Sequence, residues 1–267
     1  MKEHTKTNVR SFSCFDYYDR SCYCQAIKFC CKVLLSVMDV SSSSKTKAED
    51  SRSSTSKGQA SRDTILLTAA KLATIKGLHG LSIGDLAAEV GMSKSGLYAH
   101  FKSKEELELA TIETAATIFE SDVLQAALKA RAGIDRIRAL ADSFLSHLER
   151  KVFPGGCFFA AVVAELDTRP GPARDRVAEV LDNWLAFLKQ CLLEAQSLGE
   201  IDPKADVAQA VFEIEAMLLA ANFLFIMRND PIHLTQARLG VDSVVARLAM
   251  NAESKGPEPK SAESKRG

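Results

Sequence analysis

Residues 82–104, SIGDLAAEVGMSKSGLYAHFKSK, gather serine, lysine, tyrosine and histidine into one short run. Ser82 and Ser93 each stand just before a helical segment. There a hydroxyl caps the helix, and the free N–H groups of the first turn, with the helix dipole, favour an anion. Lys94, Ser95, Gly96, Tyr98, His100, Lys102 and Lys104 follow with cationic and hydroxyl donors, and with a glycine that permits close backbone approach. Chemistry of this kind is non-covalent: it neutralises and orients a row of phosphates. The plainer alternatives are a solvated Lys102 and a His100 that only partners its own fold.

Covalent chemistry finds little support. There is no G-x-S-x-G, P-loop, H-E-x-x-H or G-x-G-x-x-G pattern, and no catalytic residue is assigned. Ser54 and Lys57 fit S-x-x-K but lie in a serine-rich stretch without a scaffold. His4, His79, His100, His147 and His233 are scattered, so no metal set and no cofactor is expected. Five of seven cysteines (Cys14, Cys22, Cys24, Cys30 and Cys31) crowd the first 31 residues without zinc-site spacing. Cys157, in FPGGCFF, opens a helix. A helix N-terminus lowers a thiol pKa and suits an electrophile sensor. The preferred reading is an inert, buried small hydrophobe.

The bulk of the chain sets the frame for these residues. It has 267 residues, 46% hydrophobic and 25% charged, with a formal net charge of zero. That is a globular composition with a sizeable core. Ala26–Met38, read as the longest apolar stretch, runs about 13 residues and carries Lys28 and Lys32, short of the roughly 20 a membrane span needs. A soluble protein of the reducing cytoplasm, with no membrane partner, is expected. Residues 1–37 differ in character from the rest, and Met38 is read as the natural start. Peptides from residues 1–37 in the native protein would overturn that reading. Residues 1–60 are expected to be a disordered extension, with 41–60 a Ser/Lys-rich arm, and 251–267 a disordered tail.

Between these ends the pattern is helical throughout, so the fold class is all-α. Ile65, Ala69 and Leu72 form a core stripe on the first helix. Ser82 caps a second helix, Gly91 breaks it, Ser93 caps a third, and Ser103 with Glu106 makes a capping box for the next. Further helices are expected at about 104–129, 133–151, 156–167, 172–198, 203–228 and 234–250. Leu86 and Val90 should pack on Leu97 and Phe101 across a tight turn, leaving the second helix of the pair free to enter a DNA major groove. Charge agrees: Lys57–Glu105 holds seven Lys/Arg against four Asp/Glu, while Glu106–Met250 holds fourteen against twenty-one. A basic module on an acidic body is the footprint of a nucleic-acid reader.

The run TILLTAAKLATIKGLHGLSIGDLAAEVGMSKSGLYAHFKSKEELELA resembles the N-terminal domain of TetR/AcrR-family regulators, most specifically in GLSIGDLA, GMSKSGLYAHF and KSKEEL. The resemblance covers about 50 residues. It implies a three-helix helix-turn-helix domain over 61–105 and a helical ligand-binding and dimerisation domain over 106–250. Lys94, Ser95 and Gly96 match positions that face bases or approach the backbone. Ser82, Tyr98, His100 and Lys104 match phosphate-contacting positions. Gly84 stands where some members carry a base-reading arginine, so relatives do not give the operator sequence.

The resemblance further implies a homodimer on a pseudo-palindromic double-stranded DNA operator, a repressor released by a small-molecule effector. Periodic residues Val207, Val211, Ile214, Leu218, Ala221 and Phe225, then Leu234, Val241, Val244, Val245 and Leu248, mark 203–228 and 234–250 as the interface; packing on their own domain is the alternative. Trp184 and Phe187, one helical turn apart, are the leading effector-contacting candidates, with Cys157 and Phe158 beside them. The effector is expected to be hydrophobic or aromatic. A helical protein-binding scaffold and an activator of the same fold stay open.

Overall fold

The computed structural model describes residues 52–253, with side chains over 58–249. The expectations for residues 1–51 and 254–267, including the start at Met38, lie outside these. Among the described residues all regular structure is helical.

Three helices build the head. Helix α1 (Arg52–Lys76) buries Ile65, Ala69 and Ala73, with Leu66 and Ala70 alongside. Leu72 is only half-buried, so the stripe runs one residue later than the spacing suggested. The helix also begins at Arg52, which corrects the expectation of a flexible arm as far as residue 60. Helix α2 (Ile83–Glu89) and helix α3 (Lys94–Tyr98) pack on each other through Leu86 and Leu97, both fully buried with Phe101. Val90 is half-buried at the C-cap of α2 and contributes less than expected.

The turn between them explains Gly91. Its φ of +67° is left-handed, and the Met92 and Gly91 amides bond back to the Ala87 and Ala88 carbonyls at 2.8 and 3.2 Å. This is the double closure of a Schellman ending, which favours glycine at that position.

Helix α4 (Lys104–Phe119) leads away from the head. It passes through a π-helical turn, Glu120–Leu124, into a last short turn, α5 (Gln125–Leu128). The body continues with α6 (Ile134–Glu149), α7 (Phe158–Leu166), α8 (Pro172–Ser197), α9 (Val207–Arg228) and α10 (Ile232–Glu253). The last runs past residue 250, where a disordered tail was expected. Head and body meet directly: α1 packs on both α4 and α7. In the body, α8 touches α4, α6, α7 and α9, and α9 pairs with α10.

By length and composition Val207–Arg228 alone among the described helices could cross a membrane, so it, and not Ala26–Met38, is the longer apolar segment. Seven of its residues are buried against the body, among them the polar Asn222, and it carries Glu213 and Glu215. A core helix that is apolar on both sides accounts for its composition.

Candidate DNA interface and effector cavity

The head presents α3 outward. Ser93 Oγ accepts the Gly96 amide at 3.1 Å, and Ser82 Oγ accepts the Asp85 amide at 3.0 Å. Both hydroxyls cap as the sequence suggested. Lys94, Ser95 and Tyr98 stand exposed on the helix that Ser93 starts, and Tyr98 keeps 56% of its surface in solvent. The exposed phenol hydroxyl is of a kind that can donate a hydrogen bond to a phosphate oxygen. Lys94 lies with its side-chain end over Gly84.

Arg62 fixes this unit to α1. Its guanidinium donates to the His100 carbonyl at 2.5 Å, lies 4.3 Å from the centre of the Phe101 ring, and pairs with Glu106 at 3.6 Å. Ser103 Oγ accepts the Glu106 amide, and Glu106 in return accepts the Lys102 amide at 2.9 Å. The start of α4 is thereby tied to the segment that follows α3.

Helix α7 holds the other corner of the head. Glu165 accepts the Leu78 and His79 amides at 2.6 and 2.8 Å, in the turn between α1 and α2. Thr74 Oγ1 accepts the Gly155 amide at 3.0 Å, and a Cβ on Gly155 would collide with the Thr74 carbonyl. The glycine pair before α7 is explained by this close approach and by the φ of +88° at Gly156.

Behind α7 the body holds a partly open cavity of about 220 Å³, with the half-exposed Phe223 at its edge. Its walls are aromatic: Phe119 of α4, Phe144 of α6, Phe159 of α7, Trp184 of α8 and Phe223 of α9. Cys157, Ala160, Val163 and Ala164 line it from the α7 side. The rings are arranged mostly edge to face, with Phe119–Trp184 centroids 5.4 Å apart at 83° and Phe144–Trp184 6.1 Å apart at 27°. One carboxyl enters this wall: Glu215, whose Oε2 accepts the Trp184 indole N–H at 2.6 Å. Burial pushes the Glu215 carboxyl above the usual carboxylate range, against the pull of that hydrogen bond.

Comparison with known proteins agrees with this architecture. Residues 65–111 match the family described as bacterial regulatory proteins, tetR family, and residues 133–241 match the tetracyclin repressor-like C-terminal domain. The chain belongs to the TetR family of transcriptional regulators. It is 32% identical over 88 residues to the transcriptional activator FasR of Mycolicibacterium smegmatis, covering 33% of this chain and 40% of that protein. It is 25% identical over 129 residues to the transcriptional repressor DhaR of a Mycobacterium species, covering 47% of this chain and 62% of that protein. Both alignments reach less than two thirds of the relative. A TetR regulator from Chloroflexus aurantiacus superposes with a TM-score of 0.62 at 28% identity, over 75% of this chain and 98% of that one. AibR, solved with isovaleryl coenzyme A and operator DNA, gives 0.56 at 25% identity, over 71% of this chain and 98% of that one.

Within this TetR frame the expected residues divide. Ser82, Ser93, Lys94, Ser95, Gly96 and Tyr98 gather on and beside α3. His100 is half-buried, and its carbonyl is held by Arg62. Lys104 turns to its own fold, donating to the His79 carbonyl at 2.6 Å and pairing with the buried Glu108 at 3.7 Å. Trp184 and Cys157 line the cavity. Phe158 and Phe187 are buried but lie outside its lining; Phe158 packs between Phe153 and Phe159 instead. Burial pushes the Cys157 thiol up to about 11, against the pull of the Ala160 and Phe159 amides. Desolvation outweighs the helix N-terminus, and the thiol stays protonated at neutral pH.

The periodic residues expected at an interface are turned inward. Val207, Ile214, Leu218, Ala221 and Phe225 point into the subunit's own core, as do Leu234, Val241, Val244, Val245 and Leu248; Val211 is half-buried. The free apolar side carries Phe212, Phe223, Leu224 and Met227 on α9, with Ile232 and Leu239 on α10. The sequence reading also passed over Arg62, Glu165 and Glu215. Each is a lone charge without a local motif, and only its long-range partner gives it meaning.

Proposed function

We propose that the chain is an effector-responsive repressor that binds a pseudo-palindromic operator as a homodimer and leaves it when a small apolar molecule fills the cavity. The observation that carries this reading is a shared set of helices. Helix α7 lines the cavity with Ala160, Val163 and Ala164 and holds the head through Glu165. Helix α4 lines it with Phe119 and begins next to the reading helix. An occupant that displaces either helix moves the head, and differential affinity of the occupant for the two arrangements is what couples the sites.

A second copy of the chain is the occupant proposed for the free face of α9 and α10. Met227 is 83% exposed and Phe212 69%, beside Phe223, Leu224, Ile232 and Leu239. A patch of this kind on paired helices suits a two-fold, four-helix interface. Two heads so fixed read two half-sites. AibR, solved with isovaleryl coenzyme A and operator DNA, supports the general scheme, and a cavity of about 220 Å³ has room for a compact apolar group. The workplace proposed is the cytoplasm, and the role is regulation without turnover. FasR, an activator by name, favours the opposite sign of regulation on the same geometry.

The test is a mobility-shift titration on DNA upstream of the chain's own gene at two salt concentrations. A discrete, salt-sensitive complex is expected, with Lys94→Ala and Tyr98→Ala each weakening it by about 1–3 kcal/mol. A folded dimer that binds neither this DNA nor any selected from a random pool would remove the reading. Reporter output in the presence and absence of the protein gives the sign.

A further inference from the structure

We infer that the cavity takes a compact apolar amine, bound as its ammonium, with Glu215 as counter-charge and the aromatic walls around the cation. The inference rests on the effector reading only in calling the occupant an effector; the binding chemistry stands on the cavity itself. Of its fourteen lining residues, Glu215 and Cys157 are the titratable ones, and no Lys, Arg or His is among them. The Trp184 indole N–H occupies Oε2 of Glu215, and among the described residues no cationic side chain pairs with this carboxyl.

A carboxylate left without a cation in an apolar wall is costly, and a bound ammonium removes that cost. The remaining wall suits the same group. Phe119, Phe144 and Trp184 stand within 5.4–6.3 Å of one another, and a ring that turns its face to the cavity attracts a desolvated cation there. Trp184, anchored by Glu215, belongs to both parts of the site. Size limits the rest of the molecule. An engineered cavity of about 150 Å³ holds benzene, so about 220 Å³ suits one ring with a short tail. An anion is excluded by Glu215 and by the absence of a cationic lining residue.

Trp184 is the only tryptophan in the chain, so its fluorescence reports occupancy directly. The full-length protein is titrated with 2-phenylethylamine, 2-phenylethanol, propylbenzene and 3-phenylpropionate, which share a ring and tail and differ in the terminal group. The amine is expected to bind at least tenfold more tightly than the other three. Glu215→Gln is expected to abolish that preference and retain propylbenzene binding, which shows the cavity intact. The inference is overturned if the amine binds no better than 2-phenylethanol, if the variant keeps the preference, or if no probe binds. Operator binding is measured on the same preparation. DNA binding without amine preference removes this inference alone. Amine preference without DNA binding upholds the cavity assignment and removes the regulator reading.

Discussion

Glu215 is the residue on which most of the cavity's chemistry turns. Its carboxyl is held above its ordinary range by burial, so in the ligand-free protein the charged form opposes folding. A raised folded pKa means that the native state keeps its proton longer than the unfolded chain. The stability this contributes is present below the unfolded value, near 4.3, and is lost as pH rises through the folded value. The facing groups are the Trp184 indole and the protonated Cys157 thiol, neither of which supplies a cation. Glu215→Gln keeps an oxygen for Trp184 and removes the charge. It is expected to stabilise the ligand-free protein at pH 7 by about 1 kcal/mol, roughly 2–4 °C in Tm, and by less at pH 4.5. Calorimetry at the two pH values checks this, and a loss of stability at pH 7 would contradict it. The residue was hidden in the sequence because a single Glu on an apolar helix reads as surface charge. Trp184 and Cys157 were visible because bulky and soft residues in middle helices line cavities; Phe158 and Phe187 have the same composition and differ only in direction.

At the scale of the element, local signals were legible and facing was not. The caps at Ser82, Ser93 and Ser103 and the turn at Gly91 depend on residues within a few positions of one another, and the structure has them all. Helix α9 is apolar on two sides, so periodicity found the helix but chose the stripe that faces inward. The outward stripe gives a prediction. Phe212→Glu with Met227→Glu is expected to yield a folded monomer by light scattering, because both side chains lie in solvent in the single subunit. Leu218→Ala, at 1% exposure, is expected instead to cost about 2–5 kcal/mol of stability. A dimer that survives the double substitution would place the interface elsewhere. Helix α7 gives a second prediction. Glu165→Ala leaves the Leu78 and His79 amides without their acceptor and is expected to cost about 1–3 kcal/mol. Hydrogen exchange should quicken first at residues 78 and 79; unchanged protection there would remove Glu165 as the link between α7 and the head.

Across the whole molecule, acid sensitivity follows from the π-helical turn after α4. His147 is 1% exposed and meets Asp122 at 2.6 Å, and Arg150 reaches the same carboxylate oxygen at 2.6 Å. Burial holds the His147 ring below its usual range, against the pull of Asp122. Burial pushes Asp122 up, but the His147 and Arg150 hydrogen bonds outweigh it and the net direction is down. For a depressed histidine the unfolded chain binds the proton first, so stability falls as pH drops through the unfolded value near 6.5; the depressed aspartate adds a loss below about 4. Denaturant unfolding is expected to show a loss from pH 7 to pH 5 that His147→Leu flattens. An equal slope in that variant would assign the acid sensitivity to other groups.

The same scale carries the central claim, that two copies hold two reading heads over one operator. Selection from a random DNA pool with the full-length protein, followed by sequencing, tests it most directly. The account predicts an inverted repeat whose half-sites are centred about one helical turn, or a multiple of it, apart. It also predicts that the Phe212→Glu, Met227→Glu monomer recovers single half-sites at most. Enrichment of no sequence by the wild type, or of one unpaired site bound equally well by the monomer, would contradict it.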